Sequence, residues 1–159
     1  MKVIFLDIDG VLNSHKYDAE RDWNVLSFID ETRLPLLKSV IDATGAVVVL
    51  TSTWRVEWDR DESGRTPDGK YISDTFDKFG IDIFDKTPDL GMSADRADEI
   101  REWLSGRTDV DRYVIIDDCR YDWREMTDCV VKTNAYIGRG LEHSHVAAAI
   151  AGLNGEDRE

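Results

Sequence analysis

An apolar run near the start of the chain ends in two aspartates that are separated by one residue. Residues 2–6 have the composition of a buried strand, and Asp7, Asp9 and Gly10 follow directly. Side chains at positions i and i+2 of a strand point to the same face, so both carboxylates should project from the carboxyl end of this strand. Open α/β sheets bind their ligands at that edge. Two like charges this close need a cation or a shared proton, so the pair predicts a metal site, an acid–base pair or a nucleophile beside its acid.

A turn is the alternative interpretation of this segment, because Asp and Gly both favour the conformations that close a turn after a strand. One capping aspartate would need no other explanation. Two aspartates on so apolar a strand are harder to explain by capping, which favours the functional interpretation.

Strand-like runs alternate with helical patterns along the rest of the chain. Further strands are expected at 46–50, 81–84, 113–116 and 129–132, and helices at 34–44, 71–79, 96–105 and 141–153. This alternation predicts an α/β fold, with a Rossmann-like, mainly parallel sheet and helices on both faces. We expect residues 1–153 to form a single domain and 154–159 a frayed acidic tail. Residues 14–31 are expected to form a loop or flap over the strand ends.

Charge and composition exclude several classes of function. The 159 residues carry a net charge of −13, which opposes general nucleic-acid binding, although a local basic patch could still hold a nucleic-acid end. No apolar run has membrane-spanning length and no signal-like segment precedes the first strand, so a cytoplasmic protein without membrane partners is expected. Cys119 and Cys129 indicate neither a disulfide framework nor a zinc site.

Polar residues follow three of the predicted strands, at points where a parallel sheet brings them to one edge. They are Asp7 and Asp9, Thr51 and Ser52, and Asp117 and Asp118. Carboxylates from two strand ends form an oxygen-rich site of the kind that suits Mg²⁺. A hydroxyl group with a nearby lysine or arginine would bind a phosphoryl group.

These motifs, in this order, resemble those of the haloacid dehalogenase (HAD) superfamily of aspartyl phosphotransferases. The resemblance covers residues 2 to about 153. The sequences Leu-Thr-Ser-Thr-Trp-Arg at 50–55, Lys-Thr-Pro at 86–88 and Glu-Ile-Arg-Glu-Trp-Leu at 99–104 suggest a narrower likeness. They are similar to the small HAD domains of nucleic-acid repair proteins, akin to the phosphatase part of polynucleotide kinase-phosphatases.

The resemblance implies a mechanism. Asp7 would attack phosphorus and form an aspartyl-phosphate, and Asp9 would protonate the leaving oxygen and then deprotonate water. Mg²⁺ would bind Asp7, the backbone carbonyl of Asp9 and an acidic residue of the fourth motif. For that last ligand we favour Asp118, with Asp117 as the alternative and Asp122 acting through water.

The remaining site residues are binding groups. Thr51 would donate its hydroxyl to a phosphoryl oxygen, and Ser52 is the alternative if the strand ends one residue later. Arg96 fits the basic third motif at the start of its helix, while Lys86 and Lys70 remain candidates. Further predicted substrate contacts are Ser52, Arg55 and Lys86, together with Trp54 as an aromatic contact. For His15 and Lys16 in the flap a substrate contact is the alternative, and a solvated loop is the favoured interpretation.

The short connections between motifs predict a minimal cap or none, and an open site suits a bulky phosphorylated substrate. The sequence therefore predicts a Mg²⁺-dependent phosphomonoesterase, with a polynucleotide terminal phosphate as the expected substrate. A phosphatase of nucleotides or other small metabolites is one alternative, and a non-catalytic binding or regulatory protein on the same fold is another. A phosphoacceptor signalling domain also uses clustered Asp, Thr and Lys, but its strand order differs.

Overall fold

The computed structural model describes residues 1–20 and 29–156. The strands are β1 (Lys2–Leu6), β2 (Val47–Leu50), β3 (Ile83–Lys86), β4 (Arg112–Asp117) and β5 (Val130–Lys132). The helices are α1 (His15–Glu20), α2 (Leu34–Thr44), α3 (Pro67–Asp77), α4 (Arg96–Leu104) and α5 (His143–Asn154). Short 3-10 turns join several of these elements, and the one after β2 spans Thr53–Glu57.

The strands form one parallel sheet in the order β3-β2-β1-β4-β5, which confirms the predicted α/β, Rossmann-like architecture. The central strand β1 sets the register, because Leu6 lies opposite Leu50 of β2 and opposite Ile116 of β4. The three strands therefore end at the same level. Parallel pairing of this kind requires the crossover helices that the sequence pattern predicts.

Two apolar layers cover the sheet. Helices α2, α3 and α5 pack on one face, where β1 contributes Ile4 and Leu6. On the other face Phe5 packs with Ile100 and Trp103 of α4, and the Phe5 and Trp103 rings meet edge to face at 5.3 Å. Alternate residues of β1 thus pack into opposite layers, and the prediction of helices on both faces of the sheet is confirmed.

The helix α3 begins earlier than predicted. Residues 66–69, Thr-Pro-Asp-Gly, are of types that are typical of a turn, but Pro67 opens the helix, where a missing N–H breaks no intrahelical hydrogen bond. Thr66 caps it by accepting a hydrogen bond from the Gly69 amide at 3.2 Å. The same residue types therefore start a helix here instead of closing a turn.

Two other boundaries differ from the sequence expectation. Strand β3 lies two residues later than predicted, because Lys86 rather than Phe84 pairs with Leu50 at the end of β2. Within the expected flap the structure forms α1, and the Ser14 hydroxyl accepts a hydrogen bond from the Tyr17 amide at its start. The flap residues 21–28 and the tail residues 157–159 lie outside the described part of the chain.

The described strands all belong to the one sheet, so the described residues contain no second sheet that would form a cap. Within the described ranges no helix is long and apolar enough to cross a membrane.

Candidate active site

Three polar side chains extend the strands at one level of the sheet. The Asp7 amide donates to the Ile116 carbonyl at 3.1 Å and the Thr51 amide to the Leu6 carbonyl at 2.9 Å, so the pairing continues past the last apolar residues. By the alternation of strand side chains, Asp7, Thr51 and Asp117 share the face that packs against α4. The register therefore brings together the three strand ends that the sequence predicts to meet.

Arg96, the first residue of α4, lies between two of these carboxylates. Its Nη1 atom is 2.6 Å from Asp7 Oδ2 and 2.6 Å from Asp117 Oδ2. The helix start is fixed by a capping box, in which the Asp95 side chain accepts from the Asp98 amide and the Asp98 side chain accepts from the Asp95 amide. A rigid helix end thus places one guanidinium against both acids.

Burial shapes the electrostatics of this cluster. Asp7 is only 3 % exposed, and burial raises the pKa of its carboxyl to about 7, with Arg96 pulling in the opposite direction and Asp117 adding to the rise. Burial also raises the pKa of Asp117, again against the effect of Arg96. Burial disfavours the charged guanidinium, but the two carboxylates outweigh it and raise the pKa of Arg96. The site holds more buried negative charge than one arginine compensates, and a bound cation would favour the ionised carboxylates.

Thr51 carries a buried hydroxyl for which the described residues offer no hydrogen-bond partner. Its side chain is 0 % exposed, and an unsatisfied hydroxyl at such a position is costly unless a ligand completes it. Ser52 is also buried, but its Oγ accepts from the Trp54 amide at 3.3 Å and caps the 3-10 turn. Of these two hydroxyl groups, that of Thr51 is therefore the one without a hydrogen-bond partner among the described residues.

Asp9 is exposed, yet both of its carboxylate oxygens accept hydrogen bonds. Asn13 Nδ2 donates to Oδ1 at 2.9 Å, and Trp54 Nε1 donates to Oδ2 at 3.1 Å. Asn13 also accepts from the Gly10 amide at 2.8 Å, which braces the loop after β1. The second aspartate of the motif is thus held in one orientation above the strand end.

Magnesium fits the oxygen donors of this strand edge. Asp118 lies against Gly10, and a Cβ at Gly10 would stand 2.2 Å from Asp118 Oδ2, so glycine leaves the space that this carboxylate fills. Asp117 is fully buried on Arg96, whereas Asp7 and Asp118 border the cleft. The neighbouring Cys119 thiol is within 4.8 Å of the Asp117 and Asp118 oxygens but suits softer metals. A hard divalent cation matches the carboxylates and the Asp9 carbonyl.

The cleft in front of Asp7 has a volume of about 340 Å³. Its lining combines the predicted acids with residues of the first loop, of α1 and of the segment before α5: Asp7, Asp9, Gly10, Asn13, Ser14, His15, Asp18, Thr53, Arg96, Asp118, Cys119 and Ala135. At its rim the His15 ring stacks on Tyr136 with centroids 4.3 Å apart, and Tyr136 is 80 % exposed.

The predicted substrate-binding residues Ser52, Arg55 and Lys86 do not line the cleft. Arg55 is buried, and its Nη2 atom lies 2.8 Å from Glu99 Oε1. Its Nε and Nη1 groups donate to backbone carbonyls, so the guanidinium is paired inside the protein. Lys86 donates to the carbonyl of Trp58 and does not line the cleft. Lys70, a candidate for the third motif, pairs with Asp74 at 2.9 Å on the surface of α3.

Sequence reasoning missed two residues of the site. Asn13 was not singled out, although an amide four positions after Asp9 in a Gly-containing loop could have suggested a contact. Tyr121 places its ring over the Arg96 guanidinium, with 5.3 Å between the Arg96 carbon and the ring centroid. No local pattern connects that tyrosine to Arg96. Asp122 is exposed and pairs with Arg124 at 2.9 Å.

Comparison with known proteins identifies a family. Residues 3–146 match the model of the HAD domain in Swiss Army Knife RNA repair proteins. Comparisons with curated proteins and with solved structures gave no match. The match extends from β1 into α5 and so includes every strand of the described sheet and the whole cleft described above. The chain therefore belongs to the family of HAD domains found in Swiss Army Knife RNA repair proteins.

Proposed function

We propose that this protein is a Mg²⁺-dependent phosphomonoesterase that removes a terminal phosphate from a polynucleotide through an aspartyl-phosphate on Asp7. The observation that carries the proposal is the contact of Asp7 with Arg96 at 2.6 Å at the end of the central strand, facing an open cleft. Membership in a family of HAD domains from RNA repair proteins supports a phosphatase-type reaction and an RNA substrate.

In the first step a carboxylate oxygen of Asp7 attacks phosphorus. The bond to the leaving oxygen breaks, and Asp9 gives that oxygen its proton, so that an alcohol and an aspartyl-phosphate form. Arg96 faces the same carboxylate and would compensate negative charge there as the phosphoryl group approaches. The Thr51 hydroxyl would donate to a phosphoryl oxygen and so gain the partner that it lacks.

In the second step Asp9 takes a proton from water as the water oxygen attacks phosphorus. The phosphorus–Asp7 bond breaks, inorganic phosphate leaves, and Asp7 and protonated Asp9 are restored. Asp7, Asp118 and the Asp9 carbonyl would hold Mg²⁺, which, when bound, shields the charge between carboxylate and phosphate. Asp117 would serve mainly to hold Arg96.

Three observations favour a polynucleotide end over a small metabolite as the substrate. The cleft of about 340 Å³ is sized for a phosphate and its sugar, while the rest of a chain would stay outside. At the rim, the exposed Tyr136 ring offers a face on which a base can stack. The net charge of −13 argues against a long nucleic-acid footprint and favours recognition of an end.

Phosphate release from a panel of substrates tests the proposal. The panel contains RNA and DNA oligonucleotides with 5′- or 3′-phosphates, mononucleotides, a phosphopeptide and an aryl phosphate, each with Mg²⁺ and with a chelator. Asp7→Asn is the control, because it removes the nucleophile and keeps the side-chain shape. Fastest Mg²⁺-dependent release from an RNA end supports the proposal. A preference for mononucleotides would move the function to small-molecule metabolism, and no release from any substrate would contradict a phosphatase.

A further inference from the structure

The carboxylate of Asp9 is held from both sides by donors that come from different parts of the chain. Asn13 lies in the same loop, whereas Trp54 belongs to the 3-10 turn after β2. An exposed aspartate would otherwise sample several side-chain rotamers. With one hydrogen bond on each oxygen, at 2.9 Å and 3.1 Å, the carboxylate keeps a single orientation.

The Trp54 contact also links Asp9 to the second strand end. The Trp54 amide donates to Ser52 Oγ, so the turn that carries the indole is anchored next to Thr51. The indole N–H then spans from this turn to the loop after β1. The orientation of Asp9 is therefore fixed relative to the strand end that presents the unpartnered Thr51 hydroxyl.

We infer that Trp54 is a positioning residue, whose indole N–H holds the Asp9 carboxylate where the leaving oxygen of a phosphomonoester departs. This inference rests on the proposed function. It assigns the indole a role different from the substrate contact that the sequence predicts. Because proton transfer requires close approach and alignment, a small displacement of Asp9 would slow this step strongly.

The leaving group makes the inference testable. As the phosphorus–oxygen bond breaks and the bond from Asp7 forms, an alkoxide leaving group needs the proton of Asp9. A dinitrophenolate is a weak base and leaves without that proton. Mispositioning of Asp9 should therefore slow the reaction of an alkyl phosphate and spare that of dinitrophenyl phosphate. A general loss of structure would slow both reactions alike.

The experiment compares kcat/KM for ethyl phosphate and for dinitrophenyl phosphate, because kcat/KM reports the steps up to transfer of the phosphoryl group to Asp7. Trp54→Phe keeps an aromatic ring and removes the N–H. Trp58→Phe is the matched control, since the Trp58 indole N–H donates to Ser73 Oγ at 2.9 Å in the core and does not touch the cleft. Asp9→Asn shows the effect of losing the acid itself.

We expect Trp54→Phe to lose about tenfold or more with ethyl phosphate and about twofold or less with dinitrophenyl phosphate, in the same direction as Asp9→Asn. Trp58→Phe should affect both substrates equally. An equal loss on both substrates in Trp54→Phe, or no loss on either, would overturn the positioning role while leaving the proposed function intact. Absence of phosphate release by the wild type from ethyl phosphate, dinitrophenyl phosphate and the phosphorylated oligonucleotides would overturn the proposed function, and the inference with it.

Discussion

The Arg55 guanidinium and the Glu99 carboxylate lie 2.8 Å apart inside the protein and join the turn after β2 to α4. Arg55 also donates to the carbonyls of Thr51 and Ser52, at 3.4 Å and 3.1 Å. Glu99 lies one helical turn after Arg96. The ion pair therefore fixes the strand end with the unpartnered hydroxyl relative to the helix that presents the guanidinium to Asp7.

Replacing Arg55 by methionine should destabilise the protein strongly. The variant leaves the buried Glu99 carboxylate without its ionic partner, and breaking a buried pair in this way costs about 3–5 kcal/mol. Urea unfolding measures the change in the free energy of unfolding. Lys70→Met is the control, because it removes an exposed ion pair with Asp74 and should change stability little. Equal stabilities of the two variants would show that the Arg55 pair does not hold the site together.

Arg96→Ala should lower kcat/KM for phosphate release by about a hundredfold or more, because it removes the positive group that faces Asp7 and Asp117. Arg96→Lys should retain more activity, since it keeps the charge without the planar fork. Arg101→Ala on the same helix removes a surface pair with Glu125 and serves as the control. Wild-type activity in Arg96→Ala would exclude the proposed role of this residue.

Gly10→Ala should disturb the site more than backbone strain alone would. Gly10 has φ +79°, which costs alanine about 1–2 kcal/mol, and the new Cβ would in addition collide with the Asp118 carboxylate. Gly106→Ala separates the two effects, because Gly106 has φ +73° and no atom within 4 Å of the added Cβ. We expect weaker Mg²⁺ activation only in Gly10→Ala, measured as the metal concentration that gives half-maximal activity. Similar metal dependence in both variants would argue against Asp118 as a ligand.

Tyr136→Ala should raise KM for a phosphorylated oligonucleotide by about fivefold or more, because a base would lose its stacking surface at the rim. The values of kcat and KM for dinitrophenyl phosphate should not change. Ile137→Ala removes a neighbouring side chain that is equally exposed but has no ring, and it should leave KM unaltered. A similar KM for the oligonucleotide in Tyr136→Ala and in the wild type would show that the Tyr136 ring does not contribute to substrate recognition.

The fold could be predicted from the sequence because its signals are local. The apolar run before Asp7 and the alternation of strands and helices are sufficient to predict the parallel sheet. The level at which the strands end follows from pairing with β1. The close approach of Asp7, Thr51 and Asp117 could therefore also be predicted from the sequence. The place of Arg96 at a helix start favours it over Lys86 and Lys70 as the basic residue, and in the structure its guanidinium contacts Asp7 and Asp117.

The contacts that sequence reasoning missed depend on side-chain direction. Arg55 looks like a substrate-binding residue because it follows the second motif, but the 3-10 turn directs it inward to Glu99, 44 positions later. The partner of Trp54 is likewise 45 residues away, on Asp9. Such pairs form through tertiary packing, and neither periodicity nor composition carries information about them.

The most direct test of the account is to locate the phosphoryl group on the enzyme. Asp9→Asn with dinitrophenyl phosphate suits this measurement, because its first step needs no proton and its second step lacks the base. After an acid quench, mass spectrometry of the digested protein should find the phosphate on the peptide that contains Asp7. Asp7→Asn should carry no phosphate and show no turnover. Phosphate on another residue, or turnover retained in Asp7→Asn, would contradict the assignment of Asp7 as the nucleophile.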